Sequence, residues 1–345
     1  MKLIYATDIH GSFERVRELF HLAGADVYII AGDLVDIPFY TVQKARRYHD
    51  LQTYFHALRR RKGNGAMTLE DFVDELLEQE DLPEETLAMG KRYRHETLRA
   101  RDILKKHYRL LDNILAIFGG DKAYCLPGNH DMDLRHTRLR DRDLHLRCHE
   151  VEFLRIAGYG GAGGTTPGIP ERYGVAYRAG VGIDEVHNEM YRFFRETRPN
   201  DIVSHHPAYG IHDFAPPLGE TGSSALRRYC ERHAVLLCLT GHLHDQWGVV
   251  EEDGTVFINP SHFGEVLQPN GVLAEGGYFC EIEIAADGIG AIRQRKLAGG
   301  IVHDVVAYKR QNGVWEQEVR DRGRYGALLR GKNYEPAAAE EGGER

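Results

Sequence analysis

The sequence predicts a layered α/β fold with mixed sheets, and three observations support this prediction. Short apolar runs rich in β-branched and aromatic residues recur, and each is followed within a few residues by Gly, Asp, Asn or His. Helical stretches such as 12–23 and 184–197 separate several of these runs. Beyond about residue 246, alternating strands joined by Asp-Gly turns indicate an antiparallel end.

The predicted strands fall into two groups along the chain. The runs that alternate with helices or loops are Lys2–Thr7, 26–31, 122–126, 152–157, Asp201–Ser204 and 235–240. The strands of the antiparallel end are 249–251, Thr255–Asn259, Tyr278–Ala285 and 288–297.

The stretch 40–118 differs from the rest because it contains no convincing strand. Apolar residues repeat at helical spacing from Leu69 onward, with Thr68 as the N-cap. They repeat again from Leu104, and Gly119 with Gly120 ends that helix. The sequence therefore predicts a helical insertion here.

The domain division follows from this insertion. We predict one domain made of 1–39 and 119–330, a helical insertion or cap at 40–118, and a disordered tail at 331–345. The insertion carries nine acids and no base in 69–85, and eight bases against two acids in 91–109. Two interpretations stay open: helices that neutralise each other, or a basic face aimed at the substrate.

Composition excludes several classes of protein. The 345 residues carry a net charge of −8, which does not favour a globally basic nucleic-acid binder. The five cysteines are odd in number and form no C-x-x-C pair, which argues against a disulfide framework and a thiolate zinc site. The chain has neither a signal-peptide core nor a membrane span, so we expect a cytoplasmic protein without membrane contact. The oligomeric state is not predicted.

Five short motifs follow predicted strands, and they carry most of the functional information. They are Asp8-Ile9-His10, Gly32-Asp33-Leu34-Val35-Asp36, Gly128-Asn129-His130-Asp131, His205-His206-Pro207 and Gly241-His242-Leu243-His244. The carboxyl ends of strands in an α/β sheet line one edge, so the motifs are expected to meet in space. Their carboxylate, amide and imidazole groups are the ligands of Mn, Fe and Zn.

Together these motifs resemble those of the calcineurin-like metallophosphoesterase superfamily. The resemblance covers roughly 1–38 and 120–297, and it includes Phe257-Ile258-Asn259-Pro260-Ser261 after the last histidine motif. It implies a four-layer α/β/β/α sandwich and two divalent or trivalent transition metal ions, with Mn, Fe or Zn expected. It also implies two ligand sets that share a bridging Asp33. These are Asp8, His10, Asp33 and His244 for one metal, and Asp33, Asn129, His205 and His242 for the other.

The resemblance also implies a mechanism. A hydroxide that bridges the metals would attack the phosphorus of a phosphate monoester or diester. His130 and Asp131 are the catalytic candidates: His130 assists the phosphate or the leaving oxygen, whereas Asp131 and Asp36 orient the histidines and loops. Of the adjacent histidines, the resemblance implies that His205 is the ligand, because the family's ligand stands two residues before this proline, and it leaves His206 at the rim.

Other interpretations compete with this one. The G-x-G-x-x-G pattern at 158–163 is followed by prolines rather than a helix, which disfavours a dinucleotide site. The arginines of 134–149 belong either to a solvated helix or loop, or to an approach for phosphorylated substrates. We expect a phosphate-ester small molecule or nucleotide as substrate. A nuclease of the same superfamily is the alternative, although nucleic acid is not favoured, and a non-catalytic metal-binding scaffold is a third hypothesis.

Overall fold

Two mixed β-sheets form the centre of the protein in its computed structural model, which describes residues 1–39, 41–164, 166–179, 187–267, 272–311 and 314–319. The first strands are β1 (Lys2–Thr7), β2 (Val27–Ala31), β3 (Ala123–Leu126), β4 (Cys148–Val151), β5 (Leu154–Tyr159), β6 (Asp201–Ser204), β7 (Phe214–Ala215) and β8 (Gly219–Glu220). The others are β9 (Leu237–Leu239), β10 (Gly248–Glu252), β11 (Thr255–Asn259), β12 (Val266–Leu267), β13 (Leu273–Ala274), β14 (Tyr278–Ala285), β15 (Gly288–Ala298), β16 (Ile301–Gln311) and β17 (Val314–Val319).

Six α-helices accompany the strands in the described ranges. They are α1 (Phe13–Leu22), α2 (Val42–Arg61), α3 (Leu69–Leu76), α4 (Glu84–Ile114), α5 (Glu189–Thr197) and α6 (Ser224–Arg232). A π-helical turn follows α4 at Leu115–Gly119, and short 3₁₀ turns lie at Gly120–Lys122, Leu134–His136 and Arg138–Asp141.

Each sheet contains a run of parallel strands, and these runs fix where a site can form. The seven-stranded sheet has the order β17-β16-β15-β14-β1-β2-β3, with β1 to β3 parallel. The six-stranded sheet has the order β10-β11-β9-β6-β5-β4, with β11, β9, β6 and β5 parallel. The carboxyl ends of the parallel strands therefore share one edge of each sheet, where ligands bind in α/β proteins.

The side chains of these strands build three apolar layers. Leu3 and Tyr5 of β1 pack between the two sheets with Ile156 of β5. On the outer face of the first sheet, Ile4 packs with α1 and the end of α4. The outer face of the second sheet packs against α5 and α6. The result is a four-layer α/β/β/α sandwich, which confirms the predicted fold class.

The helices between β2 and β3 belong to two different cores. Phe55 of α2, Val73 of α3 and Tyr93 of α4 are buried in an apolar cluster of their own. The second half of α4 behaves differently, because Leu104 and Leu111 pack in the cluster that covers β1 and β2. This part of the chain therefore adds a separate helical body and also completes the main core.

Several local predictions are confirmed. The strands Lys2–Thr7, Asp201–Ser204, Thr255–Asn259 and Tyr278–Ala285 have the predicted bounds. Helix α3 begins after Thr68, whose Oγ1 accepts a hydrogen bond from the Asp71 N–H. Ion pairs join α3 to α4, with Arg101 Nη2 lying 3.2 Å from Glu70 Oε1. Pairs of this kind favour mutual neutralisation of the two charged helices over a basic face.

Other local predictions need correction. Helix α2 was not predicted, because most of its twenty residues are polar and its buried residues are confined to one short stretch, Tyr48 to Phe55. Residues 134–149 are not one solvated segment: they hold two 3₁₀ turns and then the start of β4. Strands β16 and β17 were also missed. The predicted helix 184–197 begins at Glu189, and 184–186 lie outside the described residues, as does the predicted tail 331–345.

No helix in the described ranges has both the length and the apolar character that crossing a bilayer requires.

Candidate metal centre

The loops after five parallel strands converge on one site. Asp8 and His10 follow β1, Asp33 follows β2, Asn129 follows β3, His205 follows β6, and His242 and His244 follow β9. Both sheets contribute, so the site bridges the edges of the sandwich. The structure thus brings the sequence-predicted residues together from positions up to 236 residues apart.

The backbone of these loops is strained at the site. Asp8, His10, Asp33 and His242 all have positive φ angles, between 40° and 69°. Left-handed backbone is uncommon for residues other than glycine and costs free energy that the surroundings must supply. Its concentration at four of the predicted ligands indicates that the chain is held in an unfavourable form in order to aim these side chains.

Two glycines make this close assembly possible. A Cβ at Gly32 would lie 2.1 Å from His205 Nδ1, and Gly32 also has a φ of +63°. A Cβ at Gly241 would lie 2.3 Å from Thr7 Oγ1 and 2.5 Å from Asp8 Oδ2. Because any side chain at these positions would displace a predicted ligand or its neighbour, only glycine fits.

Three overlapping groups of ligand atoms lie within the site, each with its atoms no more than 4.8 Å apart. They are Asp8 with His10 and His244, Asp8 with Asp33 and His205, and His10 with Asp33 and His130. Asp8 is in two of these groups, and so is Asp33, which shares one with His10 and the other with His205. Its carboxylate is therefore close to both halves of the site.

Asn129 and His242 lie beside His205. Asn129 Oδ1 is 3.0 Å from His205 Nε2. The His242 ring centroid is 5.1 Å from that of His205, and the His242 N–H donates to Asp8 Oδ2 at 3.1 Å. Both predicted ligands thus adjoin the same imidazole.

The two adjacent histidines point to different partners. His205 Nε2 lies 3.5 Å from Asp33 Oδ1, in the centre of the site. His206 Nε2 instead donates to the Thr221 carbonyl at 2.8 Å. The geometry therefore brings His205 to the cluster and leaves His206 on its flank.

Burial keeps most of the imidazoles neutral. Desolvation lowers the pKa of His10 and of His242 to about 3, and it lowers the pKa of His205 as well. His244 differs: burial lowers its pKa, but the charge of Asp8 and a 3.1 Å hydrogen bond from Nε2 to Asp8 Oδ1 outweigh burial and raise it. Neutral imidazole is the form that donates a lone pair to a metal.

The two buried carboxylates require positive charge nearby. Burial raises the pKa of Asp33 well above its ordinary value, and the charges of Asp8 and Asp131 raise it further. Burial also opposes the charge of Asp8, although His244 outweighs this effect and holds the pKa of Asp8 well below its usual range. Two carboxylates this close in a buried site are stable in their charged form only beside positive charge.

These residues fit a transition metal. The donors are carboxylate, imidazole and amide oxygen, which suit Mn, Fe and Zn. His10 Nε2 is buried and has no hydrogen-bond partner among the described residues. A bound cation would satisfy that nitrogen and the buried carboxylates together.

His130 lies among the candidate metal ligands, whereas Asp131 contacts mainly backbone groups. The His130 N–H donates to Asp33 Oδ1 at 2.8 Å, and its Nε2 is 3.7 Å from Asp33 Oδ2, so its ring is at the site. Asp131 is fully buried and accepts hydrogen bonds only from backbone N–H groups and from Tyr108 in the described hydrogen bonds. Asp36 is exposed and accepts from the Ile37 N–H. Among the described hydrogen bonds neither aspartate contacts a histidine, but those of Asp131 hold the backbone of the Asp33 and Asn129 loops.

Sequence reasoning missed the residues that hold the loops in place. Asn259 Nδ2 donates to the carbonyls of Leu243 at 3.1 Å and Gln246 at 2.7 Å. Ser261 Oγ donates to the His244 carbonyl at 2.8 Å. The Asn259-Pro260-Ser261 segment stood out only as part of a resemblance, and no local signal showed that it braces the histidine loop.

The chain after β5, described at 160–164 and 166–179 and here called the glycine-rich loop, closes the other side of the site. Thr166 Oγ1 accepts from Asn129 Nδ2 at 3.0 Å. Two residues on, the Gly168 N–H donates to Gln52 Oε1, and Gln52 Nε2 donates to the Ile169 carbonyl, both at 2.8 Å. The loop carries no helix in its described residues, as the prolines predicted, and it links α2 to a predicted ligand.

The arginines of 134–149 are largely engaged in the fold. Arg142 Nη1 donates to the Ala123 carbonyl at 3.0 Å, and Arg147 Nη1 donates to the Arg140 carbonyl at 2.6 Å. Arg135 pairs with Asp133. These contacts favour a structural role over an approach for phosphorylated substrates.

The matches to known proteins are consistent with the fold described above. The family model of calcineurin-like phosphoesterases matches residues 1–246. No curated protein matches the chain. One solved crystal structure is 14% identical with a TM-score of 0.53, and the match covers 86% of this chain and 99% of that one, which shows a shared fold.

Two further solved structures are more distant. A dimetal phosphatase from Danio rerio is 12% identical, with a TM-score of 0.45 and coverage of 88% of this chain and 98% of that one. A conserved uncharacterized protein, a predicted phosphoesterase from Streptococcus pneumoniae, is 10% identical, with a TM-score of 0.34 and coverage of 92% and 97%.

Proposed function

The chain belongs to the calcineurin-like phosphoesterase family, and on that premise we propose that it hydrolyses phosphate esters at a centre of two metal ions. The proposal assigns two ligand sets that share Asp33. They are Asp8, His10, Asp33 and His244 for one ion, and Asp33, Asn129, His205 and His242 for the other. Mn, Fe and Zn are the metals that such donors favour.

The position of the Asp33 carboxylate is the observation that carries this proposal. It belongs to ligand groups on both sides of the site, one with His10 and one with His205. A carboxylate between two sets of neutral imidazoles is the arrangement that a bridging ligand requires. Asp8 and Asp33 would together contribute two negative charges, so two divalent ions leave a positive surplus that attracts a phosphate.

The protein residues have distinct roles in this reaction. When bound, such ions supply Lewis-acid activation of the phosphoryl oxygen and the attacking water. The ligand loops fix the position of the phosphate, and His130 donates a hydrogen bond or proton to the phosphate or to the leaving oxygen. Asp131 holds the backbone of the Asp33 and Asn129 loops rather than touching the substrate.

Removing the metal ions with a chelator and then adding metal ions back tests the proposal. The chelated protein is expected to lose hydrolysis of a chromogenic phosphate monoester and diester, and added Mn²⁺ or Zn²⁺ is expected to restore it. Full activity after exhaustive chelation, or none with any of Mn, Fe and Zn, would contradict the proposal. The ratio of monoester to diester rates then decides which ester the centre prefers.

A further inference from the structure

A cavity of about 330 Å³ adjoins the metal centre on the His242 side. It lies between the glycine-rich loop, which contributes Tyr177, and the β7–β8 hairpin, which contributes Ala215 and Leu218. Its wall includes His206 and His242, so the cavity and the predicted metal centre share a side chain. We call this cavity the ring pocket.

The wall of the ring pocket is a row of rings that leads to the metal centre. Tyr177 and His206 contact edge to face, with centroids 5.3 Å apart at 68°. His206 and His242 follow at 5.4 Å, and His242 lies 5.1 Å from His205. A substrate whose phosphate lies on the metal centre would therefore place its organic group along this row.

The pocket also lacks charge. None of its lining residues in the described part of the chain is Asp, Glu, Lys or Arg. A second phosphate or a carboxylate entering it would lose hydration without meeting a cation, which is costly. The mouth is apolar too, since Leu218 is 77% exposed.

The size of the ring pocket further restricts which chemical group can bind in it. Small-molecule pockets commonly measure ~300–1,000 Å³, so the ring pocket is at the small end of that range. It suits one compact group rather than a long chain or an oligonucleotide. Ring walls favour a flat ring over an aliphatic group, because edge-to-face and offset contacts add to the burial of apolar area.

From size, charge and ring lining, we infer that the ring pocket binds the organic group of the phosphate ester, and that this group is a neutral, flat aromatic or heteroaromatic ring. The inference rests on the proposed function, because it takes the phosphate to lie on the metal centre. It predicts that aryl phosphates are preferred to alkyl phosphates of similar charge.

Binding of two phosphonates, which are not hydrolysed, tests the inference directly. Titration calorimetry on the metal-loaded protein compares phenylphosphonate with methylphosphonate. We expect phenylphosphonate to bind about tenfold to a hundredfold more tightly, because its ring buries apolar area and packs against the rings of the wall. Equal dissociation constants would overturn the inference.

Two variants in the ring pocket test whether the preference for phenylphosphonate arises there. Leu218→Glu adds a negative charge at the mouth, and Ala215→Trp fills the interior, so both are expected to reduce the preference for phenylphosphonate at least severalfold. Leu267→Glu is the matched control, because Leu267 is 62% exposed on β12 and does not line the pocket. An unchanged preference in both pocket variants would refute the assignment.

The outcomes separate this inference from the proposed function. If the wild type binds no metal and hydrolyses no ester, the proposed function fails. If it hydrolyses phosphate esters but binds both phosphonates alike, the function stands and the ring pocket is not the substrate site.

Discussion

At the scale of single residues, Asp131 shows how one side chain fixes the positions of others. Its Oδ2 accepts from the N–H groups of Leu34 at 2.9 Å and Gly128 at 2.7 Å. Its Oδ1 accepts from Tyr108 Oη at 2.8 Å, and Tyr108 Oη in turn accepts from the Met132 N–H. One buried carboxylate therefore joins the Asp33 loop, the Asn129 loop and α4.

His130→Asn is expected to retain the metals and lose turnover. The side chain lies beside Asp33 but belongs to neither assigned ligand set, so its removal takes away a donor rather than a ligand. The expected loss in kcat is about 10²–10⁴-fold, the usual contribution of a general acid or base. Steady-state kinetics and elemental analysis of the same preparation measure both quantities.

His95→Asn is the control for this variant, because His95 is an exposed residue on α4. It is expected to match the wild type in metal content and kcat. Wild-type kcat in His130→Asn would rule out the catalytic role, whereas loss of metal would make His130 a ligand.

At the scale of elements, the helices between β2 and β3 are connected to the metal centre through the glycine-rich loop. Gln52 of α2 is only 3% exposed and bonds the loop backbone through both ends of its amide. Glu171 of the loop accepts from the Leu69 N–H of α3 and pairs with Arg59 of α2, both at 2.7 Å. Thr166 of the same loop contacts Asn129.

Gln52→Ala is expected to loosen this loop and, through it, Asn129. Two buried backbone groups lose their partner, which costs about 1–3 kcal/mol in the free energy of unfolding for each unsatisfied group. We also expect kcat/KM to fall, because the Thr166–Asn129 contact is no longer held. Denaturant unfolding and kinetics measure the two effects.

Gln43→Ala is the matched control, since Gln43 is exposed on the same helix. If Gln52→Ala is destabilised but keeps the wild-type kcat/KM below its unfolding transition, the contact is structural only and the link to the site is absent.

Deleting the helical insertion would test whether it acts as a cap that selects substrates. The ends of the deletion must be chosen so that the main core stays intact. Leu104, Tyr108 and Leu111 of α4 belong to the main core or bond Asp131. Replacing all of 40–118 by a linker would therefore remove core residues, and a deletion confined to the separate helical body is the better variant.

Features that depend on residues close together in the sequence could be predicted, whereas features that depend on contacts between distant residues could not. Asp8 and His10, or His242 and His244, stand directly after apolar strands, so their convergence could be predicted from local pattern and the geometry of α/β sheets. Gln52 and Tyr108 could not be found, because their partners lie 117 and 23 residues away. Helix α2 was missed for another reason: its buried residues stand at helical spacing, but most of its twenty residues are polar.

At the scale of the whole molecule, the sandwich places the candidate metal ligands at one edge and buries a carboxyl group in its interior. Asp201 of β6 is fully buried, and neither carboxylate oxygen has a hydrogen-bond partner among the described residues. Burial raises the pKa of Asp201 to about 8. The folded protein therefore holds a proton that the unfolded chain releases near pH ~4.

Asp201→Asn is expected to stabilise the protein more as pH rises. Between about pH 4 and 8 the folded state binds one proton more than the unfolded state, so wild-type stability falls with rising pH. Asparagine removes this dependence, and the gain in unfolding free energy is expected to grow by on the order of 1–3 kcal/mol between pH 5 and pH 7. Urea unfolding at these pH values measures it.

Asp141→Asn provides the control, because the Asp141 side chain is 85% exposed. A difference between Asp201→Asn and the wild type that stays constant from pH 5 to pH 7 would show that Asp201 is ionised in the folded state.

The metal content of Asp33→Asn tests directly whether one carboxylate serves both metal ions. Elemental analysis after dialysis compares this variant with the wild type and with Asp141→Asn. We expect two metal equivalents per chain in the wild type and in Asp141→Asn. We expect strongly reduced occupancy of both sites in Asp33→Asn, because one side chain supplies the charge that both ions share. Two full equivalents in Asp33→Asn would contradict the shared role of Asp33.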